Sequence, residues 1–283
     1  MSSFRASSAL LFAESRDTSR PILFSSLIAV GASNALSRNV GAAVAEQGIL
    51  SATLNSFGVS VFVWLALGAG LLLLWRSPAV GTNRLDWALA SAAGIAMLVP
   101  VPDLSWFAVS ALVLCLFTGS PPGSPMRRGA TILLAVTIPM FWARVFMSFF
   151  NEVILAIDAT LVSLAVGTDP DGNIVPFADG SGSMWIAPGC SSFTNLSLAI
   201  LALVGVVNVT SGRWSSAKLG LGALACVLVV VINVTRISLI GYYPEHYGLI
   251  HGEVGASIAG WLTTMAIAAI GWFAARRDAI TLG

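Results

Sequence analysis

Long apolar runs recur along the chain from about residue 22 to the C-terminus, and they restrict the fold more than any other feature. Only 10% of the residues are charged, whereas an ordinary soluble domain carries roughly 25%. A helix that spans a bilayer needs about 20 mostly apolar residues. The sequence therefore predicts an all-α protein, a polytopic membrane helical bundle of about eight transmembrane helices.

The candidate spans are apolar runs, some of them short but flanked by charged or tryptophan residues. They are residues 22–37, 57–75, 87–101, 104–118, 130–150, 192–209, 219–241 and 256–274. The first is the weakest because it is short and contains serines and an asparagine. Residues 153–166 are also apolar but include Asp158, so we expect this stretch to lie at the membrane interface or dip into it. If this stretch spans the membrane instead, one of the weaker candidates cannot be a span, because an even number of spans keeps both termini on one side.

The distribution of basic residues predicts the orientation. Cytoplasmic loops hold the excess of Lys and Arg, and a cytoplasmic N-terminus places 11 of the 14 basic residues on that side. The exceptions are Arg38, Arg144 and Arg236.

This orientation gives one integral domain in the cytoplasmic membrane, residues 22–275. We expect residues 1–21 to form a cytoplasmic segment without the layout of a cleaved signal, and residues 276–283 to form a cytoplasmic tail. The net charge of +1 gives no reason to expect nucleic acid binding.

The longest polar connection, residues 167–189, contains three aspartates and no Lys or Arg, which places it outside. Residues 173–177 and 183–187 are short and rich in apolar side chains. The intervening residues 178–182 are typical of a turn. We therefore expect a small extracytoplasmic hairpin that leads directly to Cys190.

Cys190 is the cysteine that stands at a boundary. Three cysteines without a CxxC spacing indicate neither a disulfide framework nor a zinc site, and Cys115 and Cys226 fall inside apolar runs, where cysteine packs as a small hydrophobe. Cys190 precedes a helix expected to begin near Ser192, so it lies at the N-cap or in the first turn. Helix N-termini stabilise a reactive thiolate, although an inert, packed cysteine is the alternative.

The segments that we expect to end near Cys190 on the outer side carry an arginine and two histidines. Arg236 lies in an apolar helix, where it either serves a functional site or extends to the outer headgroups. His246 and His251 share the short connection before the last helix, and His251 is the favoured base because it directly precedes that helix. Cys190, His251 and Arg236 would supply a nucleophile, a proton carrier and an oxyanion stabiliser for acyl transfer.

Other polar residues near these ends are candidates for substrate binding. Arg144 either holds a substrate carboxylate or pairs with Glu152 or Asp158, and the structural pairing is favoured. Asn233 and Ser191 are also candidate binding residues, and Ser191 could replace Cys190 as nucleophile, but there is no Ser-centred GxSxG elbow.

The motifs occur in a characteristic order over residues 130–275. They are Gly172-Asn173-Ile174 through Trp185-Ile186-Ala187, then Gly189-Cys190-Ser191, Asn233-Val234-Thr235-Arg236, and finally His251. This order resembles the exosortase/archaeosortase family of membrane cysteine transpeptidases. The chain departs from the usual Ala-Cys-Ser-Gly pattern of that family, because Gly189 and Ser192 stand at the flanking positions.

The resemblance implies a bacterial or archaeal enzyme that acts on exported proteins carrying a C-terminal sorting tail: a short motif, a transmembrane helix and a basic cluster. Cys190 would form a thioester with the substrate outside the membrane, assisted by His251 and Arg236. The acceptor would be a surface glycan, a lipid or water, and no metal or organic cofactor is required.

Two other classes of function stay open. A solute transporter or channel would use Arg236 and Arg144 to bind an anionic solute, although no internal repeat of the kind found in many transporters is evident. A non-catalytic assembly factor would use the same residues structurally.

Overall fold

The structure is a computed structural model that describes residues 19–281, with side chains described as far as residue 276. Most of the predicted cytoplasmic segment 1–21, including Arg5 and Arg16, therefore lies outside the described residues, as do the side chains of the predicted tail beyond Arg276. The described part is mostly helical, as expected for an all-α membrane protein.

Ten α-helices and one hairpin make up the described chain. They are α1 Arg20–Leu54, α2 Val61–Trp75, α3 Arg84–Leu98, α4 Pro102–Thr118, α5 Pro125–Thr137, α6 Ala143–Val166, β1 Ile174–Pro176, β2 Ser183–Trp185, α7 Ser192–Thr210, α8 Ser216–Tyr242, α9 Tyr247–His251 and α10 Glu253–Thr281. A π-helical turn, Ile138–Trp142, joins α5 to α6.

Small polar residues set many of the helix starts. The side chains of Ser60, Ser124, Ser191 and Ser215 each accept a hydrogen bond from an amide of the following first turn. Such caps satisfy amide groups that have no partner inside the helix.

The number of predicted spans is wrong. Among the described residues, four helical stretches are long and apolar enough to cross a membrane: Pro125–Val166, Ser192–Thr210, Ser216–Tyr242 and Glu253–Arg276. The helices α2, α3 and α4 contain only 15, 15 and 17 residues, which gives about 22–26 Å of helix at 1.5 Å per residue.

Local breaks set the bounds of these three helices. Ser56 and Phe57 have φ values of 53° and 56°, in the left-handed region that bulky residues avoid, so α2 begins only at Val61. Extended backbone at Val99 and Val101 separates α3 from α4. The helix α1 is long enough, but its serines, asparagines and charged residues dilute its hydrophobicity.

Residues 153–166 form the second part of α6. They belong to a helical stretch that starts at Pro125 and runs for 42 residues through the π-helical turn. Phe150 has non-helical angles of φ −123° and ψ 19°, so the helix is kinked just before this segment. Its expected place at the membrane interface stays a prediction.

Basic side chains hold the helix ends together at one end of the bundle. Arg20 donates to the buried Asp86 carboxylate at 2.9 Å and to the carbonyl of Gly119. Arg128 donates to three carbonyls at the C-terminus of α7, and the buried Lys218 bonds to the carbonyl of Arg213. This end is the one that the basic residues predict to be cytoplasmic.

The apolar core has three parts. The largest cluster joins α1, α2, α4 and α5, with Trp106 and Phe24 among its fully buried side chains. A second cluster joins α6, the hairpin and α8, and a third joins α7, α8 and α10. The second cluster lies beside Cys190 and positions the candidate site.

A close approach of α5 to α2 in the largest cluster depends on glycine. A Cβ added to Gly129 in α5 would lie 2.8 Å from the carbonyl oxygen of Gly70 in α2, which is closer than real Cβ atoms approach. A Cβ added to Gly68, on the same helix as Gly70, would meet nothing within 4 Å.

We expect Gly129→Ala to lower the free energy of unfolding by about 1–3 kcal/mol, because overpacking must push two backbones apart. Thermal unfolding of the purified protein in detergent measures the effect, and Gly68→Ala is the matched control. Equal melting temperatures for the two variants would contradict the packing.

Candidate active site

The hairpin forms as predicted and is fixed to the end of α8. Val175 pairs with Met184 in the antiparallel register, and the amide of Ala178 donates to the carbonyl of Gly241 at 2.9 Å. A Cβ on Gly241 would meet the Val166 side chain at 2.7 Å. The tight fit places the strand that leads to Cys190 against α8.

The tip of the hairpin is acidic. The amide of Ser181 donates to the Asp179 carboxylate at 2.9 Å, and this hydrogen bond lowers the pKa of the Asp179 carboxyl below its usual value. Asp179 therefore keeps its negative charge under mildly acidic conditions.

Cys190 is partly buried at the end of a short 3₁₀ turn, Pro188–Cys190. The N-cap of α7 is Ser191, so Cys190 lies one residue outside the predicted N-cap or first-turn position. Its Sγ atom is 3.3 Å from Nε2 of His251. A nucleophile and a base are thus within hydrogen-bond reach of each other.

The buried carboxylate of Asp158 holds the turn that carries Cys190. Its Oδ2 atom accepts hydrogen bonds from the Ser191 hydroxyl at 2.6 Å and from the Ser192 amide at 3.2 Å. The Phe193 amide donates to the Ser191 hydroxyl oxygen. The amides of Ser192 and Phe193, the first two of α7, are therefore occupied by Asp158 and Ser191.

Asp158 had no predicted role at Cys190, although a carboxylate inside an apolar stretch was a usable signal. Buried carboxylates need partners, and the sequence does not show which segment supplies them. The partners lie 33 and 34 residues further along the chain.

Asn233 supports the same turn from α8. Its Nδ2 atom donates to the carbonyl of Cys190 at 2.8 Å and to the Ser192 hydroxyl at 3.1 Å. Asn233 and Ser191 are both buried. The polar atoms of these two predicted substrate-binding residues therefore make internal contacts in this structure.

The two histidines occupy different environments. The His251 ring stacks on Tyr247 with a centroid distance of 4.9 Å and an interplanar angle of 8°, which orients Nε2 toward Cys190. His246 is exposed, and its Nδ1 is 3.1 Å from the Glu245 carboxylate. The structure thus brings His251, and not His246, to the cysteine.

Arg236 holds the backbone of the histidine turn. Its Nε donates to the carbonyl of Ile250 at 3.1 Å, and its Nη2 donates to the carbonyl of His251 at 3.0 Å. A guanidinium carries five N–H groups, so other donors of Arg236 are left for a substrate oxygen. In this structure Arg236 is first a positioning residue for His251.

Two glycines allow the histidine turn to close. A Cβ on Gly252 would collide with the carbonyl oxygen of Gly248, and a Cβ on Gly255 would collide with that of Ile250. The Ile250 oxygen is also the acceptor of Arg236. A side chain at Gly255 would therefore displace the group that Arg236 holds.

Arg144 pairs with a residue that the sequence did not suggest. Its Nη2 is 2.6 Å from the Asp103 carboxylate and 2.9 Å from the carbonyl of Met140. The expected pairing with Glu152 or Asp158 is wrong, because the π-helical turn directs Arg144 toward the start of α4 and Asp158 is occupied by the Cys190 turn.

The arrangement can perform nucleophilic chemistry with its own side chains. No side chain that the structure describes accepts a hydrogen bond from Nδ1 of His251, so the described residues form a dyad and not a Cys-His-carboxylate triad. Within residues 19–276, no group of His, Cys, Asp and Glu side chains could hold a metal ion.

Comparison with known proteins adds no relative. No protein-family model, curated protein or solved structure matches this chain.

The contact between Cys190 and His251 predicts the reactivity of the thiol. We expect His251→Gln to slow alkylation of Cys190 by iodoacetamide at neutral pH by at least about tenfold, because the imidazole no longer takes the thiol proton. Mass spectrometry of the Cys190 peptide measures the rate, with Cys115 and Cys226 as internal standards.

Two glycine variants provide a matched comparison for this prediction. Gly255→Ala should slow the alkylation in the same way, whereas Gly260→Ala, where an added Cβ meets nothing within 4 Å, should not. Unchanged rates in both His251→Gln and Gly255→Ala would show that the imidazole does not activate Cys190.

A second prediction concerns the buried carboxylate. Asp158→Ala leaves the Ser191 hydroxyl and the Ser192 amide without their acceptor, so we expect a loss of about 1–3 kcal/mol in the free energy of unfolding. Thermal unfolding in detergent measures it, with the exposed Glu152→Ala on the same helix as control. If the two variants melt alike, Asp158 does not hold this turn.

Proposed function

We propose that this protein is a membrane-embedded cysteine peptidase or transpeptidase of the exosortase/archaeosortase type. The observation that carries the proposal is the 3.3 Å contact between Cys190 Sγ and His251 Nε2. Their segments are 61 residues apart in the sequence, and they meet where Asp158, Asn233 and Arg236 fix both backbones. Such a supported nucleophile–base pair is the usual arrangement for acyl transfer.

The position of the site favours an extracytoplasmic reaction. Three long helical stretches, α1, Pro125–Val166 and α8, each carry a basic residue near the N-terminal end and another 17 or 18 positions later. The pairs are Arg20 and Arg38, Arg127 and Arg144, and Lys218 and Arg236. At 1.5 Å per residue the separation is about 26 Å, close to the thickness of a hydrocarbon core. With the basic end in the cytoplasm, Cys190 faces outward.

The first half of the reaction breaks one peptide bond of the substrate. His251 accepts the thiol proton, Cys190 Sγ attacks the scissile carbonyl, and the negative charge passes to the carbonyl oxygen. An unused N–H of Arg236 stabilises this oxyanion. The C–N bond then breaks, the departing amine takes the proton from His251, and a thioester with Cys190 remains.

The second half releases the acyl group. Water, or an amine or hydroxyl group of an acceptor, loses a proton to His251 and attacks the thioester carbonyl. The new bond forms, the C–S bond breaks, and Cys190 regains its proton. Hydrolysis gives a free acid, whereas a glycan or lipid acceptor gives a conjugate.

The substrate is an exported protein with a C-terminal sorting tail. A cavity of about 370 Å³ lies beside the Cys190 turn and is lined by Ala143, Met147, Ser148, Asn151 and Pro188, among others. Its mixture of apolar and amide side chains suits a short peptide motif. The transmembrane helix of the tail would remain in the bilayer against this face.

The transporter alternative is less well supported. It gives no role to the 3.3 Å contact between Cys190 Sγ and His251 Nε2, which the acyl-transfer proposal uses directly.

Co-expression with an exported reporter that carries a candidate sorting tail from the same genome tests the function. We expect the wild type to remove the tail and Cys190→Ala to leave it intact, as read from the mass of the reporter. Cys226→Ala, which changes a cysteine packed inside α8, should cleave like the wild type. Equal cleavage by Cys190→Ala, or no cleavage of any encoded tail, would contradict the proposal.

A further inference from the structure

A second polar cavity, of about 510 Å³, adjoins the peptide cavity and has no role in the cysteine chemistry. Its lining includes Arg38 and Asn39 of α1, Pro102 and Asp103 of α4, and Met140 and Arg144 beside the π-helical turn. Pro139 and Arg144 line both cavities. The two cavities are therefore neighbours on the same face.

The charges in this cavity do not balance. Arg144 is paired with Asp103 at 2.6 Å, but no side chain that the structure describes pairs with Arg38. Two guanidinium groups and one carboxylate leave a net charge of +1 in the lining. The Arg144–Asp103 pair is more than half exposed, and exposed pairs contribute little energy, so Arg144 can redirect donors to an anion at small cost.

The location of the arginines adds a second argument. Arg38 and Arg144 lie about 26 Å from the basic ends of their helical stretches, on the face where basic residues are scarce. Arginine at such a position suits a ligand that carries a matching anion, and its planar donors match phosphate and carboxylate groups. Among these, phosphate is the anion that membrane lipids commonly carry.

Apolar side chains, called the apolar rim below, also line the cavity: Ala42, Val101, Pro102 and Met140. Val101 is 46% exposed. Hydrocarbon chains attached to the phosphate would cover these side chains, which free phosphate in water would leave exposed.

We propose that the cavity between Arg38 and Arg144 binds the phosphate group of a membrane lipid headgroup. Arg38 supplies a free guanidinium, Arg144 adds donors that it now shares with Asp103, and the apolar rim accepts the lipid chains. Binding there places the lipid headgroup next to the peptide cavity. The site requires no reaction at Cys190, and its test does not depend on tail cleavage.

Native mass spectrometry of the purified full chain in detergent tests the proposal with two lipids of identical chains. We expect dioleoylphosphatidylglycerol to be retained at least about tenfold more strongly than dioleoylglycerol, which lacks the phosphate. Arg38→Gln and Arg144→Gln should each reduce retention of the phospholipid about tenfold, whereas Arg84→Gln, the same charge change at an exposed helix start, should not.

Further variants of Arg38 and competition by inorganic phosphate test whether the cavity binds a lipid. Arg38 has no partner in the described protein, so Arg38→Gln should melt at the wild-type temperature, and Arg38→Lys should restore part of the retention because its ammonium keeps the charge. Equal retention of both lipids, or no effect of either glutamine variant, would overturn the proposal. Competition by inorganic phosphate as effective as that by the phospholipid would assign the cavity to a soluble anion and overturn the lipid site.

Discussion

The candidate site depends on the hydrogen bonds that the buried carboxylate of Asp158 accepts. It accepts hydrogen bonds from Ser191 and Ser192, and these bonds tie the start of α7 to the middle of α6. A carboxylate buried without such donors would be strongly unfavourable, so the turn and the acid stabilise each other. Asn233 adds a bond to the carbonyl of Cys190. Cys190 is thereby fixed by two helices that are distant in sequence.

A different set of contacts positions the turn that carries His251. Arg236 extends from α8 and holds the carbonyls of Ile250 and His251, while Gly252 and Gly255 allow the turn to close against backbone oxygens. The C-terminal end of α8 and the N-terminal end of α10 are therefore joined through the segment that carries His251. An arginine inside an apolar helix is expensive unless its donors are satisfied, and these carbonyls satisfy two of its five N–H groups.

The fold was predictable where it depends on local pattern. Apolar runs predicted most helices, and the turn at residues 178–182 predicted the hairpin. The span count failed partly because short apolar runs were counted as spans, whereas α3 and α4 contain only 15 and 17 residues. In addition, left-handed backbone at Ser56 and Phe57 delays the start of α2 to Val61, which composition does not show. The meeting of Cys190, His251 and Arg236 followed from the topology expected of their segments. The roles of Asp158 and Asp103 did not, because partners chosen by tertiary packing leave no signal in the spacing of one sequence.

The proposed acyl transfer requires Cys190 to carry an acyl group between its two halves. The most direct measurement is the mass of the Cys190 peptide after acid quenching of cells that contain the protein and a reporter with a sorting tail. The predicted result is a Cys190 peptide that carries the acyl part of the reporter, which ends at the cleavage site. Hydroxylamine should remove this adduct, because hydroxylamine cleaves thioesters. Tail removal by the wild type with an unmodified Cys190 peptide at every time point would contradict the account.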